Sequence, residues 1–104
     1  MKLHPRLAPV KVAVFPLVKR DGMPEIAQEI YRELKRTWNV FYDESGSIGR
    51  RYRRQDESGT PLCITVDSQT LVDWTVTVRD RDTTRQERVA SGDLAAFIGE
   101  KLSK

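Results

Sequence analysis

The sequence is poor in the residues that form disulfides, metal sites and catalytic triads. It contains one cysteine, Cys63, and one histidine, His4, among 104 residues. A single cysteine excludes a disulfide within the chain and a zinc site built on thiolates, and it favours a reducing compartment. His4 has no serine and aspartate arrangement near it, so nucleophilic catalysis has little support. We expect no catalytic and no metal-binding residue in this chain.

Long hydrophobic runs are also absent. No stretch approaches the roughly 20 apolar residues that span a bilayer, and residues 1–10 lack the apolar core of a signal peptide. We therefore expect a soluble, cytoplasmic protein that does not contact a membrane.

An excess of one charge is equally lacking. The chain has 18 Lys and Arg against 15 Asp and Glu, a net charge of +3, and 38% hydrophobic residues. This balance permits binding to nucleic acid without demanding it, and the length suits one compact domain.

The apolar pattern predicts alternating strands and helices after an extended lead-in over residues 1–9. Strands are predicted over 10–18, 38–42, 62–67, 74–79 and 85–89, the first of them central and the last a charged edge. Helices are predicted from Asp21 or Gly22 to about Arg36, over 47–56, and from Ser91 onward. This order predicts an α/β fold, a three-layer α/β/α arrangement with a mixed five-stranded sheet and three helices.

Side-chain spacing predicts which faces are buried. On the first helix the inward face has Ile26, Ala27, Ile30, Tyr31 and Leu34. From 74 to 79 the pattern alternates, which places Trp74 beside two valines and Arg79 beside two threonines on the opposite face. Cys63, within an apolar strand, is predicted to lie in the core.

The segment 45–56, SGSIGRRYRRQD, concentrates positive charge. Arg50, Arg51, Arg53 and Arg54 surround Tyr52. In a helix, Tyr52 would face inward and Arg50 and Arg54 would face solvent. The planar guanidinium can bind phosphate or stack on an unpaired base, which suits RNA. Composition alone also fits an ordinary solvated face, so both interpretations stay open here.

Three strand ends supply a second group of candidates. In open α/β sheets, ligands bind beyond the carboxyl ends of parallel strands. Here those ends supply polar residues that could read base edges: Lys19, Asp43, Glu44, Ser45, Asp67 and Gln69. Carboxylates in particular can accept a hydrogen bond from the exocyclic amine of cytosine.

The charged segment 79–82 is a candidate of another kind. Its alternating Arg and Asp residues could suggest a calcium loop, but the later ligands and the turn glycine are missing. We therefore predict that these side chains pair with one another.

Three runs of residues resemble a known family. LAPVKVAVFPLV (7–18), FYDESGSIGRRYRRQDESGTP (41–61) and TVRDRDTTRQ (77–86) are similar to the anticodon-binding domain of glycyl-tRNA synthetases. The resemblance spans about 7–102 and implies that residues 10–104 form such a domain, with three helices around a mixed five-stranded sheet whose fourth strand runs against the others.

The resemblance also implies a function. The parent would be a class II homodimer, glycine–tRNA ligase, that joins glycine to its tRNA with ATP and magnesium. This domain would need no cofactor, would pair with the parent's catalytic domain and would bind the glycine anticodon, whose second and third bases are cytosines. None of the class II catalytic motifs is visible, so no catalysis is expected from this chain alone. The alternative is a dimerisation or accessory module with the same fold.

In related synthetases, anticodon bases are contacted at positions that match Ser45, Thr70 and Arg79. Arg79 ends an antiparallel strand, so we expect it toward the opposite rim unless its side chain reaches across. The combined set of predicted RNA-binding residues is Asp43, Glu44, Ser45, Arg50, Arg51, Arg53, Arg54, Asp67, Thr70 and Arg79.

Overall fold

The structure is a computed structural model that describes residues 10–19, 21–44, 47–81 and 83–102. The predicted lead-in 1–9, Ser45 and Asp82 lie outside the described residues. The strands are β1 (Val12–Pro16), β2 (Val40–Tyr42), β3 (Leu62–Val66), β4 (Thr75–Asp80) and β5 (Gln86–Ala90). The helices are α1 (Met23–Leu34), α2 (Ile48–Ser58), α3 (Ser68–Asp73) and α4 (Leu94–Leu102), the last preceded by a 3₁₀ turn, Ser91–Asp93.

The five strands form one mixed sheet in the order β2-β1-β3-β4-β5. β1 pairs in parallel with β2 and β3, whereas β4 is antiparallel to both β3 and β5. The fourth strand therefore runs against the others, as predicted. The middle place belongs to β3 rather than to β1, because the β4–β5 hairpin extends the sheet on the β3 side.

Helices cover both faces of the sheet, which confirms the three layers. The larger core lies under α1 and α4, where Ile30, Leu34 and Ile98 pack with Val12 and Ile64. The smaller core lies under α2 and contains Ala13, Phe15 and the buried Cys63, with Tyr52 packed against them. Alternation along β1 and β3 sends successive side chains into the two cores, so both strands are buried throughout.

Helix α1 begins where the sequence predicts. Gly22 is its N-cap residue with φ 82°, a left-handed conformation that glycine adopts at little cost, and Pro24 lies in the first turn. Ala27, Ile30 and Leu34 are buried. The predicted inward face is therefore confirmed.

The described residues contain four α-helices, not the three that we predicted. The additional helix, α3, follows β3 immediately and is six residues long. Its Asp67 side chain accepts from the Thr70 N–H, and the Thr70 side chain accepts from the Asp67 N–H, which is a reciprocal cap. The sequence pattern predicts no helix between the strands over 62–67 and 74–79, because so short a helix shows little periodicity.

Trp74 also differs from its predicted position. It is the C-cap of α3 with φ 60°, precedes β4 and is exposed, whereas Val76 and Val78 are buried as expected. No helix among the described residues has the length and apolar character needed to cross a membrane.

Candidate RNA interface

The carboxyl ends of β1, β2 and β3 lie side by side, because β1 is paired in parallel between the other two strands. The predicted candidates after β2 and β3 that the structure describes are therefore on one rim of the sheet: Asp43, Glu44, Asp67, Gln69 and Thr70. Helix α2 begins at the same rim, where Ser47 Oγ accepts a hydrogen bond of 3.3 Å from the Arg50 N–H.

The buried side chain of Arg51 connects α2 to the strand ends at this rim. Its Nη1 donates to Pro16 O at 2.5 Å and to Asp43 O at 3.4 Å, and its Nη2 donates to Leu17 O at 3.2 Å. The residue is only 3% exposed. Burial lowers the pKa of the Arg51 guanidinium, while the nearby Asp43 carboxylate opposes that effect. Arg51 therefore joins α2 to the ends of β1 and β2, with its cationic group turned away from solvent.

The other three arginines of α2 are on its solvent-exposed side. Arg50 and Arg53 are exposed. Arg54 Nη2 is 3.0 Å from Asp43 Oδ2, and the two side chains are 48% and 8% exposed, respectively. The predicted solvent-facing positions of Arg50 and Arg54 are confirmed. We call this surface, formed by Arg50, Arg53 and Arg54, the arginine face.

Glu44 follows β2 and is held by a tyrosine. The Tyr42 hydroxyl donates to Glu44 Oε2 at 2.6 Å. Burial raises the pKa of Tyr42, and the hydrogen bond and negative charge of Glu44 raise it further. The phenol therefore stays a donor and fixes the direction of the carboxylate, whose remaining lone pairs can accept from a ligand.

Asp67 and Thr70 are brought together at the end of β3, but their polar atoms are occupied. Thr70 is fully buried, and its hydroxyl lies 2.6 Å from Thr75 O and 3.2 Å from Asp67 Oδ1. Arg88 Nη2 donates to Asp67 Oδ2 at 2.7 Å, and Arg88 Nη1 to Asp67 Oδ1 at 3.3 Å. Burial acts to raise the pKa of Asp67, but hydrogen bonds from Arg88 and Thr70 outweigh it, so the pKa lies below its usual value.

Arg79 lies beside α2. Its backbone is opposite Cys63 in β3, toward the amino end of that strand, and its guanidinium lies over the Tyr52 ring, 4.9 Å from the centroid. Tyr52 packs edge-on against Phe15 with ring centroids 5.5 Å apart, and its hydroxyl is 2.5 Å from Thr65 Oγ1. The Arg79 side chain is thus turned across the sheet toward the arginine helix.

Arg88 is the residue at this site that sequence reasoning missed. The sequence predicted only a charged edge strand, and β5 is such a strand, exposed along most of its length. The sequence did contain a signal for Arg88. Alternation along β4 places Thr77 and Arg79 on one face of the sheet, and the β5 residue that pairs with Thr77, which is Arg88, must lie on that same face.

The comparison with protein families matches nearly the whole chain. The family described as "Anticodon binding domain" covers residues 11–101. Among curated relatives, the glycine–tRNA ligase of Rhodopirellula baltica is 65% identical over 98% of this chain and 19% of that protein. The glycine–tRNA ligase of Corynebacterium glutamicum is 55% identical over 98% of this chain and 22% of that protein. The chain thus spans about a fifth of the length of these relatives.

Solved structures agree on the fold. Prolyl-tRNA synthetase from Cryptosporidium parvum, complexed with halofuginone and AMPPNP, aligns with a TM-score of 0.90 at 24% identity. The alignment covers 99% of this chain and 22% of that one. With a matching family over residues 11–101 and this shared architecture, the chain belongs to the anticodon-binding domain family.

Proposed function

We propose that this chain is the anticodon-binding domain of a glycyl-tRNA synthetase and recognises the glycine tRNA anticodon during aminoacylation. The observation that carries the proposal is the arginine face beside the rim where β1, β2 and β3 end, in a chain of the anticodon-binding family. The choice of glycine as the amino acid rests on the names of the curated relatives, which are glycine–tRNA ligases.

Affinity is assigned to the arginine face. Arg50, Arg53 and Arg54 are exposed cations on one helix. Arginine can bind two phosphate oxygens with its planar fork, and each contact releases counterions from the nucleic acid. Such contacts position the RNA without distinguishing its sequence.

Base recognition is assigned to the rim and to the adjoining sheet face. Glu44 offers a fixed carboxylate that can accept from a cytosine amine. Ser45 and Arg79 are added from their correspondence to base-contacting positions in related synthetases. The roles assigned to Asp43, Arg51, Asp67 and Thr70 are positioning ones, because each is buried or bonded within the domain.

The remaining parts of the reaction belong to the proposed parent enzyme. Glycine, ATP and magnesium would bind in its catalytic domain, and the parent would be a cytoplasmic homodimer. The described residues hold no group of three or more His, Cys, Asp or Glu side chains that could bind a metal ion.

A binding titration with the 104-residue chain tests the proposal. We expect it to prefer the glycine tRNA anticodon stem-loop over one with both anticodon cytosines replaced. If three arginines contact phosphate, log K should fall with log salt with a slope of about −2. The double variant R50A/R53A should flatten that slope to about −1, whereas the control Arg32→Ala, exposed on α1 over the opposite sheet face, should leave it unchanged. Equal affinity for both stem-loops would contradict specific recognition.

A further inference from the structure

The sheet face beside α2 is only partly covered over β4 and β5. Helix α2 packs on β1 and β3 through Tyr52, which contacts Phe15 of β1 and Thr65 of β3. Beyond it, Thr75, Thr77 and Arg79 of β4 are half-buried, and Arg88 of β5 is exposed. We call this surface, formed by Thr75, Thr77, Arg79 and Arg88, the open sheet face.

Arg88 is held on this face by five hydrogen bonds. Besides the two bonds to Asp67, Nη1 donates to Thr75 Oγ1 at 3.0 Å and to Thr75 O at 3.4 Å, and Nη2 donates to Thr77 Oγ1 at 3.3 Å. Both terminal nitrogens are therefore engaged, and the orientation of the guanidinium plane is set by Asp67, the N-cap residue of α3, and by two threonines of β4. A long side chain on an exposed edge strand would otherwise sample many rotamers.

This fixed side chain remains accessible, since Arg88 is 39% exposed and its partner Asp67 is 17% exposed. The in-plane N–H groups that could bind a phosphate mostly donate hydrogen bonds within the protein. The flat faces of the guanidinium are not used by hydrogen bonds, and a guanidinium plane is a surface on which an unpaired base can stack.

We propose that Arg88 is a stacking platform for an unpaired base of the bound RNA, and that Asp67 is the residue that positions it. The inference rests on the proposed function and adds a residue to it. It also gives Asp67 a purpose different from reading a cytosine amine, because both of its carboxylate oxygens already accept hydrogen bonds.

The neighbouring arginine fits the same use. Arg88 pairs with Thr77 across the strands, so Arg79 is its diagonal neighbour on the same face, and such neighbours are about 7–8 Å apart. Arg79 is itself ordered over the Tyr52 ring. The open sheet face thus has two oriented guanidinium groups: that of Arg88 bonded to Asp67 at the rim, and that of Arg79 beside α2.

The test measures binding of the glycine anticodon stem-loop to the full chain and to Arg88→Lys. Lysine retains the charge but has no flat face. We expect R88K to bind about 10-fold more weakly with an unchanged salt slope, because stacking rather than phosphate contact is lost. Arg85→Lys, a conservative change at an exposed residue just before β5, is the matched control and should bind as the wild type does.

A second measurement separates stacking from a purely structural role. With 2-aminopurine placed at each unpaired loop position in turn, binding of the wild-type chain should change the fluorescence at one position, and R88K should lose that change. Asp67→Asn, which weakens the hold on Arg88, should reduce it in part.

The two proposals fail in different ways. The stacking role would be overturned if R88K bound with wild-type affinity, or if R88K retained the fluorescence change that the wild-type chain produces. In either case the anticodon preference would stand. A wild-type chain with no anticodon preference would remove the proposed function and, with it, this inference.

Discussion

Arg50 and Arg51 are neighbours in the sequence but have opposite surroundings. Arg50 is exposed, whereas Arg51 is buried against the carbonyl groups of Pro16, Leu17 and Asp43. On a helix, adjacent residues are separated by about 100°, so two neighbours can lie on different faces; here Arg51 faces the sheet and Arg50 faces solvent. The same side-chain chemistry therefore serves the fold at one position and is available to a ligand at the next.

Removing the buried guanidinium should destabilise the domain. Arg51→Met deletes three charge-assisted hydrogen bonds to carbonyl oxygens and leaves these acceptors without that donor. We expect the free energy of unfolding to fall by about 2–4 kcal/mol, measured by urea denaturation. The control, Arg50→Met, should change it by less than about 0.5 kcal/mol. Equal effects of the two substitutions would contradict the assigned role of Arg51.

The Asp67 carboxylate should make stability depend on pH in acid. Its folded-state pKa lies below the ordinary value, which is about 3.9. The carboxylate therefore contributes stability above that pH, and the contribution is lost as the pH falls through the folded-state pKa. Asp67→Asn should cost about 1 kcal/mol at pH 7, and the difference from wild type should shrink from about pH 5 downward. Urea unfolding at several pH values measures this, and a difference that stays constant into acid would contradict it.

At the scale of the element, two helices begin with glycines in different conformations. Gly22 caps α1 with φ 82°, whereas Gly49 lies inside the first turn of α2, where a Cβ would meet no atom within 4 Å. The conformation at Gly22 strains any residue with a Cβ. Gly49 has no such constraint, and its backbone freedom weakens the helix that presents the arginine face.

A pair of alanine substitutions should therefore have opposite effects. Gly22→Ala should lower the free energy of unfolding by about 1 kcal/mol, because the native φ is unfavourable for alanine. Gly49→Ala should raise it by about 0.5 kcal/mol, through helix propensity and a less flexible unfolded chain. Thermal unfolding of both variants checks this, and shifts of the same sign would contradict it.

The three longer helices and the interior strands could be predicted from local signals. In α1 the cap, the proline and the apolar spacing all lie within one segment, and β1 and β3 are continuous apolar runs. Helix α3 was missed because its stability depends on one reciprocal cap rather than on periodicity. Trp74 was misplaced for the same reason, since it ends that helix and does not begin β4.

At the scale of the whole molecule, the sheet order separates a protected interior from two edges. β1 and β3 are each paired on both sides and covered by helices, whereas β2 and β5 are the edge strands. The open sheet face lies at the β5 edge, so the surface proposed for base stacking is in the less covered part of the fold.

Hydrogen exchange should follow this arrangement. Amides of β1 and β3 should exchange slowest, near the rate set by global unfolding, and those of β5 that point away from β4 should exchange much faster. Residue-resolved exchange measured by NMR at neutral pH checks this. Protection of the outward β5 amides equal to that of β3 would contradict the edge position of β5 in the isolated chain.

The sequence alone determined the succession of the five strands and the three longer helices, the buried faces of α1, β1 and β3, and the clustering of four arginines, because these features depend on residues close together in the chain. Only the tertiary structure decided what each polar side chain does. Arg51 finds its carbonyl partners 34 and 35 residues earlier, and Arg88 finds Asp67 21 residues earlier. A hydrogen bond or an ion pair is satisfied by whichever groups the fold brings within about 3 Å, and local spacing does not contain that information.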